Sequence, residues 1–383
     1  MRSGIRLATI VTVATLSVAA FAGCGTGRGT GTTSTTSNPP SSSASSAAST
    51  TTTSAAGGFA ANAMIGVSLP WLGTQNWQEG QTMFADQLKA AGFTPNVQAA
   101  DNTVQTQQQQ ITAMIQAGAK VIVIGPVDGA QLGTIVDQAK AADIYIIGYD
   151  RMIQNTPNVD AVVQFGSVKT GELQGQSLLD GLAAKKGPGP YNIELFGGGP
   201  TDPNAPNFFT GAMKVLQPKI DDGTLVVVSG QKDFPTVATQ DWDNQKAQAR
   251  MDTLLSGFYG GGKKIDGVLA PNDGIARAIM TSCEDAGQPV PVVDGLDAED
   301  ASVTLVWQGK QWSTTYKPTD KLVAQTITLI KALQAGQPLP APTEKDNNGV
   351  KDVAVYAQDP VIVTQANAKE VFKNDPARLK LLT

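Results

Sequence analysis

One local pattern recurs along this chain and limits its fold more than any other feature. A short apolar, β-branched run stops at an acidic or amide side chain and gives way to a helical stretch. VIVIGPVDG closes at Gly129, IYIIGYDR runs from Ile144 to Arg151, and GVLAPNDG closes at Gly274 ahead of PVVDGLD. Runs this short and this apolar fit strands buried on both faces of a parallel sheet. Asp150 and Arg151 then fall at the carboxyl end of a strand, the edge where open α/β sheets bind ligands. In the repeated pattern Asp128 corresponds to Asp273, and Asp150 to Asp297. Two similar half-sites point to two lobes that face one ligand. A strand-end acid can also be no more than a helix cap, and it is the duplication that favours a shared cleft.

The amino terminus reads as an export signal. Met1 to Arg6 holds two arginines, and Leu7 to Phe21 is apolar apart from small hydroxyl residues, too short and too weakly apolar to span a membrane. It runs into Phe21-Ala22-Gly23-Cys24, which resembles a bacterial lipobox with Phe21 at the position usually held by an aliphatic residue. Cleavage before Cys24 would leave a lipid-modified terminus on the outer face of a membrane. The alternative partner for Cys24 is Cys283, the other cysteine of the chain, which sits in a helical pattern typical of a buried thiol. From Gly25 onward the composition is Gly, Ser and Thr with nothing to bury, so residues 25–61 are expected to form a disordered tether.

What remains is roughly 320 residues, more than one core serves comfortably and suited to two α/β domains. The balance of 28 basic against 33 acidic residues, with no long basic run, argues against a nucleic-acid partner. Histidine is absent altogether, which removes the commonest general base and the commonest transition-metal ligand. No cysteine cluster or GxSxG elbow replaces it, so no cofactor and no metal is expected. Paired carboxylates could still hydrolyse a glycoside. Gly197 to Pro200, GGGP, lacks the spacing and the Lys-Ser/Thr ending of a phosphate loop.

Within the folded part, strands and helices alternate as right-handed parallel crossovers require. Met64 to Leu69 reads as the first strand, and Pro70 to Gln78 as a loop carrying Trp71, Asn76 and Trp77 before a helix. The glutamine run inside Val104 to Ala117 reads as a solvated helix face. Val162 to Phe165 leaves the first lobe, and Tyr191 to Phe196 is the first strand of the second. The loop GGGPTDPNAPNFF that follows is rich in turn residues, and Asp202 and Asn204 either satisfy its backbone or meet a ligand. Trp242 stands near the start of a helix expected from Asp241 to Leu255. Lys317 directly follows a strand.

At these residues the chain resembles the solute-binding proteins of bacterial ABC sugar importers, in particular the xylose-binding and multiple-sugar-binding branch of the ribose/galactose-binding type. The motifs are IGYDR at Gly148, NIELFGG at Asn192, DPNA at Asp202, QDWD and AQARMDTLL around Trp242, PNDG at Pro271, DGLDAED around Asp297 and TTYKPT around Lys317. The resemblance implies an α/β fold of two doubly wound parallel-sheet lobes joined by three crossover segments. The expected division is a leader and lipobox over residues 1–24, the tether, one lobe from 62–165 plus 317–350, and the other from 166–316 plus 351–383. It further implies a monomer that closes on a monosaccharide or polyol and docks on an ABC permease with its ATPase subunit. Asp150 and Arg151 would meet sugar hydroxyls from one lobe, and Asp202, Asn204, Asn272 and Asp297 from the other. Lys317 would lie near a crossover, with Asn76 at the first loop and Trp77 and Trp242 on the two faces of the ring. In this chain Asn76 stands where the branch often has arginine, and Gly125 where ribose-binding relatives have asparagine.

The chemistry of those residue types agrees with a sugar. Paired hydroxyls both donate and accept, so planar carboxylate, amide and guanidinium groups can bridge them, while flat aromatic walls suit the C–H faces of the ring. Two other readings remain open at this point: a sensor that presents its sugar to a membrane receptor, and a secreted glycoside-processing enzyme using the cleft acids.

Overall fold

The computed structural model describes residues 58–383, so the leader, Cys24 and most of the tether lie outside the described residues. The strands in chain order are β1 (Met64–Leu69), β2 (Thr94–Ala99), β3 (Val121–Ile124), β4 (Tyr145–Tyr149) and β5 (Ala161–Phe165), then β6 (Tyr191–Leu195), β7 (Leu225–Val227), β8 (Gly267–Leu269) and β9 (Val292–Val293). They are followed by β10 (Ser313–Tyr316), β11 (Glu344–Asn347), β12 (Asp352–Gln358) and β13 (Val361–Thr364). Between them run the helices α1 (Gln75–Ala90), α2 (Val104–Gln116), α3 (Gly133–Ala141), α4 (Ser167–Lys186), α5 (Asn204–Asp221) and α6 (Phe234–Val237). The later helices are α7 (Asn244–Phe258), α8 (Asp273–Asp285), α9 (Asp300–Trp307), α10 (Thr319–Gln334), α11 (Ala368–Val371) and α12 (Pro376–Leu379).

Two parallel sheets organise these elements. The first has the order β11-β12-β5-β4-β3-β1-β2, antiparallel only at β11, and the second the order β7-β6-β8-β9. Every residue of β3, VIVI, is fully buried, as expected for a strand covered on both faces. One face of the first sheet packs Val121, Val123, Ile147 and Tyr149 against α1 and α10, and the other packs Ile122, Ile124 and Ile146 against α2 and α3. The second lobe is built alike, with Ile193 and Leu269 facing α4 and α5 and Val268 and Val293 facing α7 and α8. The chain passes between lobes after β5, after β10 and after β12, and β10 pairs antiparallel with β13.

Four local features differ from the sequence expectation. Residues 351–383 do not all join the second lobe: β12 pairs with β5 in the first sheet, because Val353 and Val355 fill one side of that core and Tyr356 the other. The tether is expected to reach residue 61, yet Phe59 donates its amide to Gln334 O and packs on Phe93. Helix α1 begins at Gln75, which puts Asn76 and Trp77 in its first turn rather than in a loop. The glutamine run is not wholly solvated, since Gln107 is fully buried. Its amide donates to Gly125 O at 2.9 Å and accepts from Val127 N at 2.9 Å, so it holds the turn after β3.

Candidate functional site

The carboxyl ends of the two sheets face each other across a cavity lined by residues of both lobes. The ten residues that the resemblance assigned to the ligand all line it: Asn76, Trp77, Asp150, Arg151, Asp202, Asn204, Trp242, Asn272, Asp297 and Lys317. Trp71, Thr74, Phe208 and Leu296 complete the lining. Of these, Trp71 shared the first-loop signal, whereas nothing local in the sequence distinguishes Phe208 or Leu296 from ordinary core residues.

The first lobe presents Asp150 and Arg151 as the end of β4. Asp150 adopts a left-handed backbone, φ 61°, which turns its side chain out of the sheet while its amide still donates to Val163 O at 2.8 Å. Arg151 is 5% exposed and held on three sides. Nη1 donates to Pro126 O at 3.0 Å, the guanidinium lies 5.3 Å from the Trp77 ring centre, and Nε sits 2.9 Å from Asp202 Oδ2 in the opposite lobe. The Trp77 ring in turn lies against Tyr149 at 6.0 Å, edge to face. A Cβ on Gly125 would come within 3.0 Å of Trp77 Cζ3. The space an asparagine would need at position 125 is therefore taken by the indole.

From the second lobe, Asp202 and Asn204 open α5. Asp202 Oδ1 accepts from Asn204 N at 2.9 Å, and Asn204 Nδ2 donates to Asp150 O at 2.7 Å across the cleft. Asn272 caps α8, its Oδ1 accepting from Ile275 N at 3.0 Å, which leaves its amide N–H groups for the cavity. Asp202 and Asn272 thus serve both roles that their positions allowed, backbone cap and cavity wall. Trp242 follows Asp241 in a turn where both residues are left-handed, φ 62° and 55°, an unusual conformation for side chains of this kind. The turn lays the indole on Gly198 and Gly199, so the GGGP segment is a ledge for an aromatic ring rather than a phosphate loop.

Charge is concentrated at the centre. The Lys317 ammonium reaches Asp150 Oδ1 at 3.5 Å and Asp297 Oδ1 at 3.2 Å. Burial pulls its pKa down, but Asp150 and Asp297 together hold it above the ordinary lysine value. Burial raises Asp297 and Asp202 above the usual carboxylate range, opposed by Lys317 and Arg151 respectively. The other pair that the repeated pattern marks, Asp128 and Asp273, behaves differently. Asp273 is fully buried beneath the cavity wall, bonded to Glu299 N, Gln311 and Thr314, and Asp128 caps its own turn through Ala130 N. Neither lines the cavity. Cys283 is fully buried in α8, and no cluster of metal-ligating side chains occurs among the described residues.

The lobes also touch around the rim. Gln75 Nε2 donates to Asp300 Oδ1 at 2.8 Å and Asp300 N donates back to Gln75 Oε1 at 2.8 Å, while Glu79 pairs with Arg378 at 2.8 Å. The arrangement is a closed cleft whose walls are amide, carboxylate and cationic groups with aromatic faces.

Comparison with known proteins agrees with this architecture. The chain is 41% identical over 321 residues to the multiple sugar-binding periplasmic receptor ChvE of Rhizobium radiobacter, covering 82% of this chain and 90% of that protein. It is 33% identical over 317 residues to the D-xylose-binding periplasmic protein of Escherichia coli, covering 82% and 91%. A solved structure of an ABC transporter solute binding protein from Clostridium phytofermentans with bound β-D-glucose matches at a TM-score of 0.78 and 36% identity, over 82% of this chain and 99% of that one. Residues 65–338 match the model of the periplasmic binding protein domain, and with its two facing sheets and closed cleft the chain belongs to that family.

Proposed function

We propose that this protein is the extracytoplasmic substrate-binding component of an ABC importer, and that it binds a monosaccharide such as glucose or xylose between its two lobes. The observation that carries the reading is the convergence of Asp150, Arg151, Asp202, Asn204, Asn272, Asp297 and Lys317 on one cavity that also holds Trp77 and Trp242. Such a set can satisfy both the donor and the acceptor side of several hydroxyls at once, and a site built this way rejects analogues that lack one. The glucose bound in the Clostridium phytofermentans relative supports the same ligand class. Binding and release without turnover is the activity proposed, with the cleft acids acting as hydrogen-bond acceptors. Lipidation at Cys24 would anchor the chain to the outer membrane face, and the closed form would be presented to a permease.

A thermal-shift screen of the purified chain against pentoses, hexoses, polyols and amino acids tests this reading, because a solute that binds only the folded state raises its melting temperature. A shift with one or more sugars, lost in Asp297→Ala, is expected. A shift with amino acids and none with any sugar or polyol would refute the ligand class.

A further inference from the structure

Arg378 lies five residues from the end of the chain, in the short helix α12, yet it is only 6% exposed. Its guanidinium is engaged on every side. Nε donates to Ala298 O at 2.8 Å, Nη1 meets Asp375 Oδ2 at 2.9 Å, Nη2 meets Glu79 Oε1 at 2.8 Å, and the group lies 5.1 Å from the Tyr316 ring centre. Ala298 follows the cavity acid Asp297, and Tyr316 precedes the cavity lysine Lys317. Glu79 belongs to α1 of the opposite lobe, the helix whose first turn supplies Asn76 and Trp77 to the cavity.

Asp297 and Ala298 are both left-handed, at φ 92° and 50°. A turn of that kind costs energy and persists only where its surroundings fix it. Here the Ala298 amide donates to Thr314 Oγ1 at 3.1 Å, Glu299 N donates to Asp273 Oδ2 at 2.9 Å, and the Ala298 carbonyl accepts from Arg378. The side chain that holds this carbonyl is therefore the same one that pairs with the other lobe.

We propose that Arg378 is a positioning residue for ligand binding, joining closure of the lobes to the seating of Asp297. The inference rests on the sugar-binding reading above. The pair with Glu79 exists only when α1 and α12 are brought together, so it favours the closed state, and a ligand gains affinity to the extent that closure is favoured. An arginine that merely pinned the carboxyl-terminal tail would act on stability, and any effect of Glu79, whose Oε1 also accepts from Gln75 Nε2 at 2.9 Å, would then be independent of Arg378.

Glu79→Gln separates the two cases, since it removes the charge from the far lobe without touching the tail. Affinity and dissociation rate are measured on the full chain with D-glucose and D-xylose. Glu79→Gln and Arg378→Met are each expected to weaken binding about tenfold, mainly through faster dissociation, as for loss of a largely buried charge-assisted pair. The double variant should be no weaker than the worse single one, because both remove the same interaction. Arg378→Lys, which keeps the charge but not the fork, should recover part of the loss. Glu79→Gln binding as tightly as the wild type, or losses that multiply in the double variant, would overturn the proposal. If neither sugar binds the wild type, the ligand class has failed instead, and the wild type and the same four variants are compared with whichever solute raises the melting temperature.

Discussion

Asp150 and Asp297, one from each lobe, share a single counter-ion: the Lys317 ammonium stands 3.5 Å from the first carboxylate and 3.2 Å from the second. Both acids sit at strand ends with left-handed backbones, φ 61° and 92°, and so project into the space between the sheets. The lysine arrives from the segment after β10, where the chain passes back to the first lobe. Ligand hydroxyls entering this site meet acceptors already fixed in place from both sides, so little reorganisation is left for the moment of binding.

Removing that counter-ion is expected to be costly. Lys317→Met leaves two nearly buried carboxylates facing each other, and losing one partner of a buried ion cluster destabilises by about 3–5 kcal/mol. Urea denaturation should show this loss, and Asp297→Asn added to Lys317→Met should recover part of it. No loss on Lys317→Met alone would mean that the acids are solvated and the cluster open.

The ledge beneath Trp242 gives a second expectation. A Cβ on Gly198 would overlap Trp242 Cη2, so Gly198→Ala must displace the indole from the cavity wall. Sugar affinity should fall about tenfold, comparable to the roughly 1.4 kcal/mol an aromatic contact supplies. Trp242→Ala should fall by a similar amount, and the two changes together should not add. Calorimetric titration measures both, and full affinity in Gly198→Ala would show that the ring does not touch ligand.

Gln107 offers a test far from the charged centre. Gln107→Leu preserves bulk but strands Gly125 O and Val127 N in the interior, at a cost of about 1–3 kcal/mol. Because Arg151 donates to Pro126 O within the same turn, sugar binding should weaken as well. Chemical denaturation and titration on one preparation report the two effects separately.

The pH dependence of stability should carry the sign of Asp273. Burial first, and then the neighbouring Glu299, push its carboxyl up to about 8. An unfolded aspartate has an ordinary pKa of about 3.9. Between those values the native state keeps a proton that the unfolded chain has released, so the contribution is complete below the lower value and is lost as pH rises toward the upper one. Urea midpoints should decline from about pH 5 to about pH 8, and the decline should be shallower in Asp273→Asn. Equal slopes would show Asp273 ionised in the folded protein.

How much of this was legible in the sequence follows from which interactions are local. The buried strands and their polar ends were readable because apolar runs and turn residues write themselves in consecutive positions, and IYIIGYDR and PNDG placed Asp150, Arg151 and Asn272 directly. The tenfold convergence on one cavity drew on the resemblance as well, since no spacing rule brings Trp77 near Arg151. The pairing of Asp128 with Asp273 misled, because the repeated motif marks equivalent turns and not equivalent access to the cleft. Gln107 was hidden because a buried and a solvated glutamine look alike in a polar run. Arg378 and β12 were invisible for a different reason: their partners, Glu79 and β5, lie far away in the chain and only the folded topology brings them together.

The central claim, that the cleft binds a monosaccharide, is tested most directly by calorimetric titration of the purified chain with D-glucose and D-xylose. The account predicts saturable one-site binding of at least one of them, abolished or severely weakened in Arg151→Ala and in Asp297→Ala while both variants remain folded. Absence of heat with every aldose and polyol, or binding unaffected by both substitutions, would contradict it.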